Sequence, residues 1–262
     1  MKIDPYQHRE KYFSWKKSLN GKIPGLSEAN SKIIIEYIFD MEHGLNVASV
    51  SKKGARSYPR LNNLRQRLIF LIKRFEERYQ LEDITQVSER TLHDFFTGMK
   101  NGEIKRLDGR MYQSPADYVK VFKAFWHWHQ KVHRKMGVEV QDLTLDLDTN
   151  KDKPKWVYLT EDQIKKLVDN AKFEYKVLIT FLYDSGIRSP TELMNLRLSD
   201  FYNNFKEVNI RDEISKTFGR KIKLMLCSDL IKGYVQDKGL LETNDEIFDM
   251  MVELVKREIV GD

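Results

Sequence analysis

Of 262 residues only Cys227 is a cysteine, which excludes an intrachain disulfide framework and any zinc module built on cysteine pairs. The lone thiol reads as a small apolar residue on a strand and fits a reducing compartment. Long apolar runs are missing too. No stretch approaches the ~18 consecutive apolar residues of a membrane span, and the opening MKIDPYQHREKYFSW lacks the apolar core of a secretory signal. A soluble, cytoplasmic protein with no membrane partner is therefore expected. Extreme charge is absent as well: a net charge of +6 and a pI near 9.1 suit a polyanion partner without being histone-like.

What charge there is lies unevenly. Residues 28–135 carry 20 basic and 13 acidic side chains, whereas residues 157–262 carry 16 and 19, so the basic excess belongs to the first two-thirds of the chain. With 41% hydrophobic residues, a chain of this length can bury two cores. The expected order is an N-terminal arm or helix (1–27), a helical DNA-binding bundle (28–135), a linker (136–156) and a second, α-rich domain (157–262).

Residues 1–27 intersperse Lys11, Lys16 and Lys17 with Tyr6, Tyr12, Phe13 and Trp15, a pattern open to two readings, a basic arm over DNA or a packed helix. Ser27 caps a helix whose Ile33, Ile34, Tyr37, Ile38 and Met41 recur at three and four. The next helix puts Leu61, Leu64, Leu68, Leu71, Ile72 and Phe75 on one face and Arg65, Arg67, Lys73, Arg74 and Arg78 elsewhere. Between them, residues 50–60 combine Lys52, Lys53, Arg56 and Arg60 with small and hydroxylated neighbours, either a solvated loop or a segment that lets the backbone approach phosphates. A third helix, within 85–99, is capped at Ser88 and ended by Asn101-Gly102; a basic insert with Lys105, Arg106 and Arg110 follows, then an aromatic helix from Ser114-Pro115. His127, His129 and His133 lie on that last helix without a third ligand at metal spacing, so neither metal nor other cofactor is expected.

The second domain opens with a capping box at Thr160 and Gln163. Its central stretch, LITFLYDSGIRSPTELMNLRLSDF over residues 178–201, is apolar up to a break at Ser185-Gly186. Arg188 follows, and Ser189-Pro190-Thr191-Glu192 starts a new helix. An arginine beside a helix start can hold a phosphate; equally, it can be a turn arginine paired with Glu192. Beyond Asp200 the period changes to alternation at residues 207–211 and 220–226, two strands of a small antiparallel sheet, with Lys216 in their connection. Helices are expected at 228–237 and 245–260. The fold class is mainly α, a helical bundle followed by an α-rich domain that carries a small antiparallel sheet.

With LTEDQIKKLV, the arginine box YDSGIRSPTELMNLRLSDF and the strand pair around SKTFGRKIKL in that order, the second domain resembles the tyrosine recombinases, the phage-integrase family. LEDITQVSERTLHDFF and VKVFKAFWHWH resemble that family's core-binding domain, so the likeness spans about residues 28–260. The resemblance implies a site-specific recombinase or integrase of mobile DNA whose two domains clamp a duplex and whose protomers associate on it. It implies Arg188 as a catalytic arginine, Glu192 as its acidic support and Lys216 as the hairpin lysine, with Lys221 and Lys223 as rivals. The basic residues Lys52, Lys53, Arg56, Arg60, Arg65, Lys105, Arg106, Arg110 and Arg220 would touch DNA.

Two departures stand against the family pattern. Arg188 and Glu192 are four steps apart where the family has three, which leaves Glu192's partner open. No histidine follows His133, so the His-x-x-Arg box and the tyrosine nucleophile that should come after it are not found, and Tyr158, Tyr175, Tyr183, Tyr202 and Tyr234 read as packing or surface residues. This chain by itself is therefore expected not to cleave DNA. It would be an amino-terminal portion of a recombinase, or a DNA-binding remnant or regulator that occupies recombination sites; a helical scaffold without DNA is the third reading.

Overall fold

Cap chemistry sets most helix ends. In the computed structural model, which describes residues 3–48, 53–106, 108–150 and 156–240, the Ser27 hydroxyl accepts from Asn30 N–H to start α2 (Glu28–His43), and Gly44 ends it in the left-handed region. Ser88 accepts from Thr91 N–H at the start of α4 (Glu89–Asn101), with Gly102 at its end. Pro115 opens α5 (Pro115–Lys135), and Pro59 lies in the first turn of α3 (Tyr58–Tyr79), where no N–H is missed. Tyr58, Pro59 and Arg60 are thus helical, and the segment expected to be open at 50–60 is shorter than its composition suggests.

The chain divides into two compact units, one of residues 8–154 and one of residues 1–7 with 155–262. The first packs α2 to α5 with α1 (His8–Ser18) around Ile34, Tyr37, Leu68, Phe75, Phe95, Phe122, Phe125 and Trp126. Each such side chain, fully buried, contributes roughly 1.5–3 kcal/mol. The Phe75 and Phe95 ring centroids are 4.4 Å apart, and Phe122 stacks on Trp126. Buried Asn30 ties the layers: its Nδ2 donates to Glu76 Oε1 (2.6 Å) and its Oδ1 accepts from Ile84 N–H (2.7 Å). Helix α1 is packed, with Tyr12 buried and donating to Glu42 Oε2 at 2.9 Å.

Residues 136–150 show neither helical nor strand period, yet they lie on α5. Trp126 Nε1 donates to Gln141 O (2.9 Å), Gln130 Nε2 to Val140 O (2.9 Å), and Thr144 and Leu147 are buried.

In the second unit the capping box at Thr160 and Gln163 starts α6 (Glu161–Asn170). Then come α7 (Phe173–Ser185), the single turn α8 (Thr191–Met194), and the strands β1 (Phe201–Tyr202), β2 (Glu207–Ile210) and β3 (Arg220–Lys223), with α9 (Ser228–Asp237) after them. The sheet is antiparallel in the order β1-β2-β3, and Ile210 pairs with Arg220 at the open end of the β2–β3 connection. Val177, Phe181, Leu193, Val208, Ile210, Ile231 and Val235 form its core. Residues 245–260, expected as a helix, lie outside the described residues, as does Lys52. The architecture is mainly α-helical with a small antiparallel sheet, as the periodicities imply. Among the described residues, no helix is long and apolar enough to cross a membrane.

Candidate phosphate-binding site

Helix α7 stops because Gly186 takes a left-handed conformation (φ 56°) and donates its N–H to Leu182 O at 3.1 Å. Two residues later the chain delivers Arg188. The helix after it is only the four residues of α8, and Glu192 N–H bonds Arg188 O. A single turn has little macrodipole, so an anion here would be recognised by side chains, not by a helix start.

Glu192 turns back from α8 into the unit, its side chain 2% exposed. Arg188 meets it twice, through the backbone N–H to Oε2 (3.1 Å) and Nη1 to Oε1 (3.2 Å). Across the sheet, Arg220 at the start of β3 donates Nη1 to Oε1 (3.1 Å) and Nη2 to Oε2 (2.8 Å), and Ser215 Oγ adds a contact to Oε1 at 3.2 Å. A two-pronged guanidinium–carboxylate pair is the strong form of this bond. Burial pushes the Glu192 carboxyl up, but hydrogen bonds from Arg220 and the Arg188 backbone outweigh it and hold the group at about 2. One buried negative charge thus anchors two arginines and leaves one positive charge uncompensated. Both readings of Arg188 meet here: it pairs with Glu192, and half of its side chain stays exposed.

The β2–β3 connection closes over this group. Thr217 Oγ1 accepts from Arg188 Nη1 at 3.3 Å, and Gly219 N–H donates to Asp212 Oδ1 at 2.7 Å. A Cβ on Gly219 would stand 2.7 Å from Ile210 O, so only glycine fits where the two strands converge. Lys216 lies between Ser215 and Thr217, exposed, with no hydrogen bond or ion pair among the described residues. The structure therefore gathers Arg188, Glu192 and Arg220 and places Lys216 in the loop bound to them. Arg220, expected on a DNA-facing surface, is held by Glu192. Ser215 and Thr217 went unassigned; the hydroxyls flanking Lys216 in SKT were the available signal.

The other basic residues are placed as follows. Lys53 Nζ donates to Ala48 O (2.8 Å), and Arg56 N–H donates to Met41 O (2.9 Å), which seats this loop on the end of α2. Arg60 is exposed on the first turn of α3. Arg65 is packed: Nε donates to Asn62 Oδ1 (2.9 Å) and the guanidinium lies 5.0 Å from the Trp15 ring centre, because α1 covers that flank of α3. Lys105, Arg106 and Arg110 sit on one exposed turn, where Arg106 N–H donates to Arg110 O and Arg106 Nη2 lies 3.2 Å from Asp108.

The histidines of α5 are engaged locally. His127 Nε2 lies 3.1 Å from Asp142 Oδ2, His133 Nδ1 is 3.0 Å from His129 O, and burial together with the neighbouring His133 holds His129 down at about 4. Among the described residues no group of three or more His, Cys, Asp or Glu is placed to hold a metal. Of the tyrosines, Tyr183 hydroxyl is 3.4 Å from Glu161, Lys221 lies over the ring of Tyr202, and Tyr234 is buried.

No protein-family model matches the chain, and no curated protein matches it. Among solved structures the chain is similar to the crystal structure of XerA recombinase, with 16% sequence identity and a TM-score of 0.32, over 87% of this chain and 73% of that one.

Proposed function

We propose that this protein binds duplex DNA and seats a backbone phosphate at Arg188, in the manner of a site-specific recombinase preparing a strand for exchange. One observation carries the reading: the Arg188 guanidinium is fixed by a fully hydrogen-bonded, buried Glu192 and remains half exposed, with Lys216, unpaired among the described residues, in the loop that meets it. A guanidinium held in place before its ligand arrives needs no reorganisation to stabilise charge on nonbridging phosphate oxygens. A lysine ammonium in the adjoining loop can donate a proton to a leaving 5′ oxygen. These residues supply anion recognition and a proton; a nucleophile is not among the roles assigned to them. The exposed bases Lys53, Arg60, Lys105, Arg106 and Arg110, with the half-buried Arg56, supply the sequence-independent phosphate contacts.

Fluorescence anisotropy of a labelled duplex between ~50 and ~200 mM salt tests this. The logarithm of affinity should fall linearly with the logarithm of salt, with a slope of about −0.9 for each phosphate neutralised. Replacing Lys53 and Arg56 together should flatten that slope, and Arg188→Ala should reduce it by about one contact. A chain that does not bind duplex DNA at the lowest salt would refute the proposal.

A further inference from the structure

The β2–β3 connection carries one more group that the phosphate site does not use. Phe218 is 80% exposed and makes no ring contact among the described residues. A single exposed phenylalanine is ordinary on a protein surface. This one is set apart by what surrounds it. The residues on either side are tied down, Thr217 by Arg188 Nη1 and Gly219 by Asp212 Oδ1 at 2.7 Å, and Ser215 reaches Glu192. The residues between the ties, Lys216 and Phe218, are left in solvent. The loop thus holds an ammonium and an aromatic ring, two residues apart, against an arginine whose guanidinium is half exposed. Three tied residues hold the loop in place, so a ring on it loses little conformational freedom when it meets a ligand.

We propose that Phe218 packs against an unstacked nucleotide flanking the phosphate held at Arg188, its ring on the base while Lys216 engages the backbone. The proposal rests on the DNA reading above and adds to it an apolar, salt-independent contact. On an unstacked base, aromatic stacking is sequence-tolerant and contributes about 1–3 kcal/mol; within an intact duplex the base faces are covered by their neighbours, so the contact needs a single-stranded gap beside the phosphate. The partner is DNA and not an acidic protein surface, because the positive groups at the loop, Arg188 and Lys216, match a phosphate and an adjacent π face offers the ring a place to bury.

The test compares the full chain with Phe218→Ala, Phe218→Tyr and Lys216→Ala in anisotropy titrations of one mixed-sequence duplex that carries a short single-stranded gap, across a salt series. Phe218→Ala should weaken binding roughly tenfold, the lower half of the range that stacking spans, by the same factor at every salt, with the slope unchanged. Phe218→Tyr should restore binding. Lys216→Ala should instead reduce the slope by about one phosphate contact. The urea midpoint of Phe218→Ala should equal that of the parent, since the ring is 80% exposed. Parent-like affinity in Phe218→Ala, with Lys216→Ala still lowering the slope, overturns the stacking proposal and leaves the DNA reading intact. Failure of the parent chain to bind duplex overturns both.

Discussion

Arg220 and Glu192 form a two-pronged pair, with Nη1 on Oε1 at 3.1 Å and Nη2 on Oε2 at 2.8 Å, joining the first turn after Arg188 to the start of β3. The pair fastens the turn that carries Arg188 to the sheet. Because Arg188 hangs on the same carboxylate, the position of the proposed phosphate site depends on a residue that need not touch the phosphate.

Arg220→Met should therefore lower the stability of the second unit by roughly 1–3 kcal/mol, the cost of depriving a buried carboxylate of charged donors. Arg220→Lys should recover little of it, because one ammonium cannot present two parallel donors. Urea unfolding followed by circular dichroism measures both, and a full recovery by lysine would show that charge alone suffices.

Acid should act through Glu192 and through His129 in different windows. Glu192 is held at about 2 against its ordinary 4.5. Between those values the unfolded chain binds more protons than the folded one, so its contribution is complete above about 4.5 and is lost as pH falls through about 2. His129, at about 4 against 6.5, is a base kept neutral by burial. Stability should fall as pH drops from about 6.5 to about 4, by at most ~1.4 kcal/mol per pH unit, and then level. In His129→Gln the slope of the urea midpoint should shrink most in the upper part of that window, above the range where the carboxylates titrate.

Gly219→Ala should disturb the site without touching a charged residue. The added methyl would meet Ile210 O at 2.7 Å and Asp212 N at 3.1 Å, forcing apart the strands that position Arg220. A loss of roughly 1–3 kcal/mol is expected, together with weaker duplex binding; unchanged values for both would mean that the connection adapts freely.

Cys227 should be unreactive in the folded protein. Its thiol is fully buried, and burial, with the Asp184 carboxylate beside it, pushes its pKa up. Asp184 itself accepts N–H bonds from Met225, Leu226 and Cys227 at 2.8–3.1 Å. Alkylation monitored by mass should await urea unfolding, and Asp184→Ala, by freeing three backbone donors, should bring labelling to lower urea.

Helix existence was legible in the sequence wherever a cap preceded a period of three and four, as at Ser27, Ser88 and Thr160. The break at Gly186 and the two strands about Lys216 were legible for the same kind of reason, a change of local period. Residues 136–150 were read as a linker because their packing is carried by backbone carbonyls such as Gln141 O and Val140 O, which accept from α5 and leave no side-chain pattern. The pairing of Glu192 with Arg220 spans 28 residues and joins a turn to a strand, so neither period nor spacing announces it. Arg65 looked like surface on α3 alone; only the arrival of α1, with Trp15, shows which flank of that helix is covered.

Ile3 donates its N–H to Asn195 Oδ1 at 2.6 Å and accepts from Asn195 Nδ2 at 3.1 Å. Residue 3 thus belongs to the unit built from residue 156 onward. The chain passes between its two units twice, once after Gln7 and once between residues 150 and 156. A protease that severed only the second passage would leave the two fragments clasped through residues 3 and 195, and a gene fragment beginning at the second unit would lack a piece of what it encodes.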